Sequence, residues 1–183
     1  HLPGHHRVPR LVGEDQLDSS LPVLDPARGS FGRLPGEGGW GPVWSADGFE
    51  VFFGGRTPLG RVAADGSRKP EPLGGAFEGQ ASSVSPDGAL LAALRNGPGT
   101  GTDIWLVPLG GGEPRAWLET SANEAWAEFS PDGKWMAYGS DASGRNEVYV
   151  RPFPGPGSPY QVSVDGGNSP IWARSGREIF FVT

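Results

Sequence analysis

The tetrapeptide Ser-Pro-Asp-Gly occurs twice in this chain, each time directly before an apolar run, and this repetition most constrains the fold. Its third residue is Asp87 in "SVSPDGALLAA" and Asp132 in "EFSPDGKWMAY". Asp47 in "VWSADGFEVFF" and Ser175 in "IWARSGREIFF" occupy the same place in two related stretches. The four anchors are 40, 45 and 43 residues apart. A period of this length, filled with short apolar runs and turns, indicates a repeated unit of several strands.

Each anchor has the chemistry of a tight hairpin. An Asp at this place accepts hydrogen bonds from the backbone that follows it, and the next Gly adopts a positive φ. The preceding Pro presets the turn and removes a donor that no ladder needs. We therefore interpret Asp47, Asp87, Asp132 and Ser175 as structural turn residues. With further short strands after each hairpin, the repeat predicts an all-β chain, a β-propeller of four-stranded antiparallel blades.

The repeat divides the chain into about four blades' worth of strands. We expect a flexible leader over 1–20, a half-blade over 21–36, blades over 37–77, 78–120 and 121–165, and a half-blade over 166–183. The half-blades would expose unpaired edges if they stayed open. They could pair within one small ring, two chains could share a larger ring, or the chain could be part of a longer propeller. Among these we expect self-association, a homodimer that completes a larger ring.

Three stretches carry a resemblance to a known family. "FSPDGKWMAYG", "EVYVRPFPGPG" and "GGNSPIWARSG" resemble the TolB-like, WD40-like propeller repeat of bacteria, and more narrowly the propeller attached to some bacterial serine/threonine kinases. The resemblance covers Leu21–Thr183. It implies an envelope or extracytoplasmic location and a non-catalytic interaction or sensing role. The ligand would sit at the channel mouth and a protein partner on a loop face. The kinase motifs themselves do not occur in these residues.

Composition excludes several classes of partner and site. The net charge of −6 argues against nucleic acid or an anionic membrane surface as the main partner. No apolar run is long enough to insert into a membrane. The absence of cysteine excludes disulfides and thiolate metal sites. The sequence predicts no cofactor.

The sequence offers one weak pair of catalytic candidates. All three histidines lie within the first six residues, so a Ser-His-Asp site in the propeller body is unavailable. A hydrolase or lyase acting on sugars would then need two carboxylates, and Glu124 and Glu128 are the candidates. Their even spacing predicts that they share one face of a strand. The alternatives are ordinary solvated strand ends, and a purely structural module whose role is assembly.

Two tryptophans and three histidines complete the candidates. Trp40 and Trp126 fall outside the repeated core position, near the starts of first strands, where they could stack on a sugar or a peptide. They could equally be partly exposed packing residues. His1, His5 and His6 could form a metal-binding arm, or belong to a leader that binds stray metal without a functional role.

Overall fold

We describe the fold from a computed structural model, which covers residues 21–25, 30–34, 39–55 and 58–183. Side chains are described for 41–55 and 58–183. Among these residues, no helix is long and apolar enough to span a bilayer. The chain is built from strands, which are β1 Leu21–Asp25, β2 Ser30–Leu34, β3 Gly39–Trp44, β4 Glu50–Gly55, β5 Gly60–Ala63, β6 Glu71–Pro72, β7 Gln80–Val84, β8 Leu90–Gly97, β9 Gly101–Pro108, β10 Arg115–Leu118, β11 Glu124–Phe129, β12 Trp135–Ser140, β13 Glu147–Pro152, β14 Tyr160–Gln161, β15 Asn168–Trp172 and β16 Ile179–Val182.

The strands form sheets in chain order. Strands β3–β6, β7–β10 and β11–β14 make three antiparallel four-stranded sheets, which we call blades 1, 2 and 3. Strands β1–β2 and β15–β16 make two separate hairpins. This architecture confirms the predicted propeller of four-stranded antiparallel blades, with about four blades' worth of strands.

The first strand of each sheet lies innermost. Strand β7 contacts β3 on one side and β11 on the other, and β11 contacts β15. The first strands therefore border a common channel, and later strands of each blade lie progressively farther out. Blade faces pack on each other with buried side chains that come from both partners. Phe52, Leu59, Leu91 and Val107 join blades 1 and 2, and Ile104, Leu106, Phe129 and Met136 join blades 2 and 3.

The anchor turns repeat one set of hydrogen bonds. In the β11–β12 hairpin, Ser130 Oγ donates to Asp132 Oδ1 at 2.7 Å, and the Lys134 amide donates to the same oxygen at 3.1 Å. Asp47 and Asp87 receive the corresponding pairs of bonds. The serine hydroxyl lowers the pKa of each of these three carboxyls, with help from the backbone amide. In the last hairpin the Ser175 hydroxyl accepts from the Arg177 amide at 3.3 Å.

The two outer hairpins do not close a ring within one chain. Neither β1–β2 nor β15–β16 is hydrogen-bonded to any other described strand. The alternative of a small ring closed by these two hairpins is therefore not what the structure shows. Hairpin β15–β16 packs against blade 3 through β15, and its far face carries exposed Ile171, Phe180 and Val182. Ile171 pairs with Phe180 in the ladder, so these three side chains share one face.

Candidate functional site

A bulge in β11 separates the two candidate carboxylates. Glu124 pairs with Ser140 and Glu128 pairs with Ala137, so the ladder shifts register between Ala125 and Glu128. Ser140 and Ala137 are three residues apart on β12 and therefore point to opposite faces of the sheet. The expectation that Glu124 and Glu128 share a face is wrong, because the bulge inserts one unpaired residue between them. The structure does not bring this pair together for two-carboxylate catalysis.

Glu128 lies on the face of blade 3 that turns toward β15. The neighbouring indole of Trp172 donates its Nε1 hydrogen to the Glu128 backbone carbonyl at 3.2 Å. Burial raises the pKa of the Glu128 carboxyl to about 7. The corresponding residues of the other first strands are Val43, Ser83 and Ile171. Glu128 therefore places an ionisable side chain where the other units have an apolar residue or a serine.

Glu124 lies on the opposite face, toward blade 2, and is only 1% exposed. Its Oε1 accepts a hydrogen bond from Thr120 Oγ1 at 2.5 Å. Its Oε2 is buried and has no hydrogen-bond partner among the described residues. Burial raises the pKa of the Glu124 carboxyl, the Thr120 hydroxyl opposes that rise, and the charge of Asp103 adds to it.

Glu124 lines a cavity of about 570 Å³ between blades 2 and 3, which we call the Glu124 cavity. The stacked rings of Tyr138 and Tyr149, 5.8 Å apart, form part of its wall. Burial raises the pKa of Tyr138 to about 12. Arg151 borders the cavity and donates from Nε to the Gly157 carbonyl at 2.8 Å. The cavity is therefore lined by a carboxyl group, a guanidinium group and two aromatic rings.

Trp126 occupies the bulge and faces a second space. Its backbone has φ of +53°, and its side chain is 39% exposed. The ring lies against β12, since a Cβ added to Gly139 would stand 2.6 Å from Trp126 Cε3. Gly41 and Ser169, six residues before their own anchors as Trp126 is, also have positive φ. The bulge is thus a recurring feature of first strands, and Trp126 is the large side chain displayed there.

The space beside Trp126 is a cleft of about 480 Å³ at the end of the channel where first strands begin, which we call the mouth cleft. It spans the edges of all three blades. The side chains that can make hydrogen bonds there are Glu78, Gln80, Arg95, Asn96 and Thr102. The Arg95 guanidinium stacks over Trp105, 4.9 Å from the ring centroid. Trp40 is the second residue of β3, and its side chain lies outside the described residues.

The metal candidates also fall outside the described part of the chain. His1, His5 and His6 precede its first residue, so their geometry is not described. Within the described ranges, no group of three or more histidine, aspartate and glutamate side chains is placed to hold a metal ion.

The residues that shape the Glu124 cavity were not singled out from the sequence. Tyr138, Tyr149 and Arg151 look like ordinary alternating strand residues. One signal was available: Glu124 stands eight residues before its anchor, where the other three units have glycine. A charged residue at a glycine position of a repeat marks a place where the unit departs from its packing role.

Comparisons with known proteins support the fold. No family model matches the chain. A curated relative, uncharacterized protein Atu1656 of Agrobacterium fabrum strain C58, is 28% identical over 155 residues, which is 76% of this chain and 49% of the relative. The chain thus spans about half the length of the curated relative it matches.

Solved propellers superpose on most of the chain. TolB from Acinetobacter baumannii matches with TM-score 0.73 and 19% identity over 90% of this chain and 43% of that one. A putative TolB from Agrobacterium tumefaciens matches with TM-score 0.51 and 20% identity over 88% of this chain and 76% of that one. The Cps50 (Swd1) propeller domain of Myceliophteria thermophila matches with TM-score 0.67 and 10% identity over 91% and 56%. The chain has the fold of a TolB-like, WD40-like β-propeller.

Proposed function

We propose that this chain is a non-catalytic binding module that takes a polar ligand, a peptide segment or a carbohydrate, at the mouth cleft. The observation that carries the proposal is Trp126, a large aromatic side chain held at positive φ and 39% exposed at the channel mouth. Positive φ recurs at Gly41 and Ser169 in the equivalent bulges, so the feature particular to blade 3 is the large aromatic side chain that the bulge displays.

The surroundings of Trp126 suit a polar ligand. Its indole face offers a stacking surface, while Gln80 and Asn96 offer amide donors and acceptors. Glu78 and Arg95 add one charge of each sign, and both are exposed. Peptides and sugars share the chemistry that these groups recognise, which is an apolar patch flanked by closely spaced hydrogen-bonding groups.

A comparison of two aromatic variants tests the proposal. Peptide and glycan arrays would be probed with the wild-type chain, with Trp126→Ala and with Phe49→Ala. Phe49 is 74% exposed in the β3–β4 hairpin, at the opposite end of the first strands, and serves as the matched control. We expect array spots that bind wild type and Phe49→Ala but lose at least about tenfold in signal with Trp126→Ala.

The array class that responds identifies the ligand. Trp126-dependent binding to peptide spots alone, or to glycan spots alone, assigns the mouth cleft to that class of ligand. The proposal is wrong if no spot distinguishes wild type from Trp126→Ala, or if Phe49→Ala abolishes binding to the same degree. Glu124 and Glu128 lie on opposite faces of their sheet, so the alternative of a sugar hydrolase has no carboxylate pair to support it here.

We also propose that two copies of the chain associate through β15–β16. The face that carries Ile171, Phe180 and Val182 is apolar and exposed, and the edge of β16 pairs with no described strand. Such an edge favours strand addition. The occupant that fits is the β1–β2 hairpin of a second copy, because these strands correspond to the third and fourth strands of a repeat unit. Together the two hairpins would make one four-stranded blade.

A further inference from the structure

Glu124 occupies a position that the other first strands reserve for glycine. Eight residues before their anchors stand Gly39, Gly79 and Gly167. Gly167 shows why glycine fits: a Cβ added there would lie 2.8 Å from Ser163 Oγ. In blade 3 this crowded place holds a whole carboxylate side chain that is 1% exposed. In blade 3 a buried carboxyl group therefore stands where the other units have glycine.

The hydroxyl group four residues before this position has a different hydrogen-bond partner at Glu124 than at Gly167. Ser163 donates its hydroxyl hydrogen to Glu147 Oε2, and the Gly166 amide donates to Glu147 Oε1 at 3.1 Å. Thr120 precedes Glu124 by the four residues that separate Ser163 from Gly167. Its hydroxyl bonds Glu124 instead, at 2.5 Å.

Asp103 is left with an unsatisfied oxygen as a result. It begins the apolar run "DIWLV" of β9 as Glu147 begins "EVYV" of β13, and it is 1% exposed. Its Oδ2 accepts from Thr100 Oγ1 at 2.8 Å, whereas Oδ1 makes no hydrogen bond with the described residues. Glu124 Oε2 likewise makes no hydrogen bond with the described residues. Each of these two buried carboxyls therefore has one oxygen without the hydrogen-bond donor that burial normally requires.

The two carboxyls are neighbours across the blade interface. The Thr102 amide, next to Asp103, donates to Asn123 Oδ1, next to Glu124, at 3.3 Å. The negative charge of Asp103 contributes to the raised pKa of Glu124. A positively charged donor placed at Glu124 would therefore be attracted by both groups.

The Glu124 cavity leads outward from this point. Glu124 lies on β11, innermost, and Arg151 lies on β13, two strand spacings or about 10 Å farther from the channel. The ladder also places Arg151 four residues, or about 13 Å, along the strands from the position of Glu124. Tyr138 and Tyr149 stack between them on the same face. Arg151 uses Nε for the Gly157 carbonyl, and its terminal nitrogens donate to no described residue. The cavity therefore has a carboxyl group at one end, a guanidinium group at the other, and two tyrosine rings between them.

We propose that the Glu124 cavity is a second binding site, for a small zwitterion whose ammonium group meets Glu124 and whose carboxylate meets Arg151. The volume of about 570 Å³ suits a small molecule. The ammonium group supplies the donor that Glu124 Oε2 lacks, and the carboxylate pairs with the guanidinium. Tyr138 and Tyr149 contact the aliphatic part between them.

An ammonium group fits this cavity better than a divalent cation. Calcium takes six to eight oxygen ligands, often several of them carboxylates. The described residues gather no cluster of three or more such side chains. One ammonium group needs only about three acceptors, which Glu124, Thr120 and a tyrosine hydroxyl can provide.

The test uses a homologous series of ω-amino acids, from glycine to 6-aminohexanoate, titrated into the full chain by calorimetry and by NMR. Butylamine and butyrate carry one charged group each and serve as single-ended probes. We expect an intermediate chain length to bind most tightly, and both single-ended probes to bind at least about tenfold more weakly. Because burial raises the pKa of Glu124 and ammonium binding requires the ionised carboxyl, we also expect affinity to rise with pH above the ordinary glutamate pKa of 4.5. The accompanying proton release should make the observed binding enthalpy depend on the ionisation heat of the buffer.

Two variants of Glu124 and one of Arg151 supply the controls. Glu124→Gln keeps the size of the side chain, and Glu124→Gly restores the residue of the other three units, so at least one of them should fold. Both should abolish binding of amine-bearing probes, whereas Arg151→Gln should leave butylamine unaffected and erase the preference for chain length. The proposal is overturned if no member of the series binds wild type below about 10 mM, or if a folded Glu124 variant binds as well as wild type. The mouth-cleft proposal is independent of either result, because Trp126 does not line this cavity.

Discussion

The carboxyl of Glu128 makes the stability of this protein depend on pH. Its pKa is raised from 4.5 to about 7 by burial, so the folded chain holds a proton that the unfolded chain has released. Stability therefore falls as pH rises from about 4.5 to 7 and stays low above that range. We expect Glu128→Gln to be more stable than wild type at pH 8 by on the order of 1–3 kcal/mol, and equal to it at pH 4, in urea unfolding.

Glu119→Gln is the matched control, because Glu119 is an exposed carboxyl next to the same blade. It should change stability little at either pH. An advantage of Glu128→Gln that is the same at pH 4 and pH 8 would contradict the assigned cause, since it would reflect packing rather than ionisation.

Glu124 and Glu128 also show why the sequence alone does not predict which face of the sheet each residue occupies. Both residues lie on β11, Glu124 at its first position and Glu128 directly before its last residue, Phe129. Their faces were predicted from even spacing, which holds only for an uninterrupted ladder. The bulge depends on the positive φ of Trp126, and an aromatic residue gives no sign of that conformation in the sequence.

Within β11 and β12, the close contact between Trp126 and Gly139 can be measured directly. A Cβ at Gly139 would stand 2.6 Å from the indole, so the ring must move to accept one. We expect Gly139→Ala to cost on the order of 1–3 kcal/mol in the wild-type background, and much less in a Trp126→Ala background. Urea unfolding of the four proteins gives the coupling energy of the cycle.

Additivity of the two substitutions would contradict this contact. Ser169→Gly in β15 provides a further comparison, because Ser169 has φ of +51° at the equivalent bulge without an indole. It should relieve backbone strain and stabilise the chain by about 1 kcal/mol or less.

At the scale of elements, the repeat predicted which segments are strands and where the hairpins turn, because Asp-Gly chemistry is local. It could not predict how first strands are joined. Ser82 and Ser83 bridge blades 2 and 3, because Ser82 Oγ donates to the Ala127 carbonyl at 2.8 Å and Ser83 Oγ accepts from the Phe129 amide at 3.2 Å. Such bonds depend on neighbours that are about 45 residues away in the chain.

The proposed self-association determines the mass of the whole molecule. Each chain has a mass of 19.2 kDa, and light scattering at several concentrations should give about twice that value at the highest ones. The double substitution Ile171→Lys with Phe180→Glu places charges on the exposed face of β15–β16 and should restore the monomeric mass. A wild-type mass of 19.2 kDa at every concentration would contradict the proposed pairing.

The fold as a whole was predictable because its period is visible in the sequence. Four anchors at 40 to 45 residue intervals define the unit, and alternation within each unit defines its strands. The cavities were not predictable, because each lies between units. Leu118 at the end of blade 2 and Tyr138 in blade 3 line the Glu124 cavity together only when the two blades pack.

The anchor turns also bear on the chemical ageing of the protein. Asp-Gly bonds rearrange to isoaspartate when the glycine amide nitrogen attacks the aspartate carboxyl. Here that nitrogen is already engaged: Gly88 donates to the Ser85 carbonyl at 2.8 Å, and Gly133 donates to the Ser130 carbonyl at 2.9 Å. The carboxyls are held in turn by serine hydroxyls. Isomerisation at these bonds should therefore follow unfolding, so the isoaspartate content of a stored sample records how long its blades have spent open.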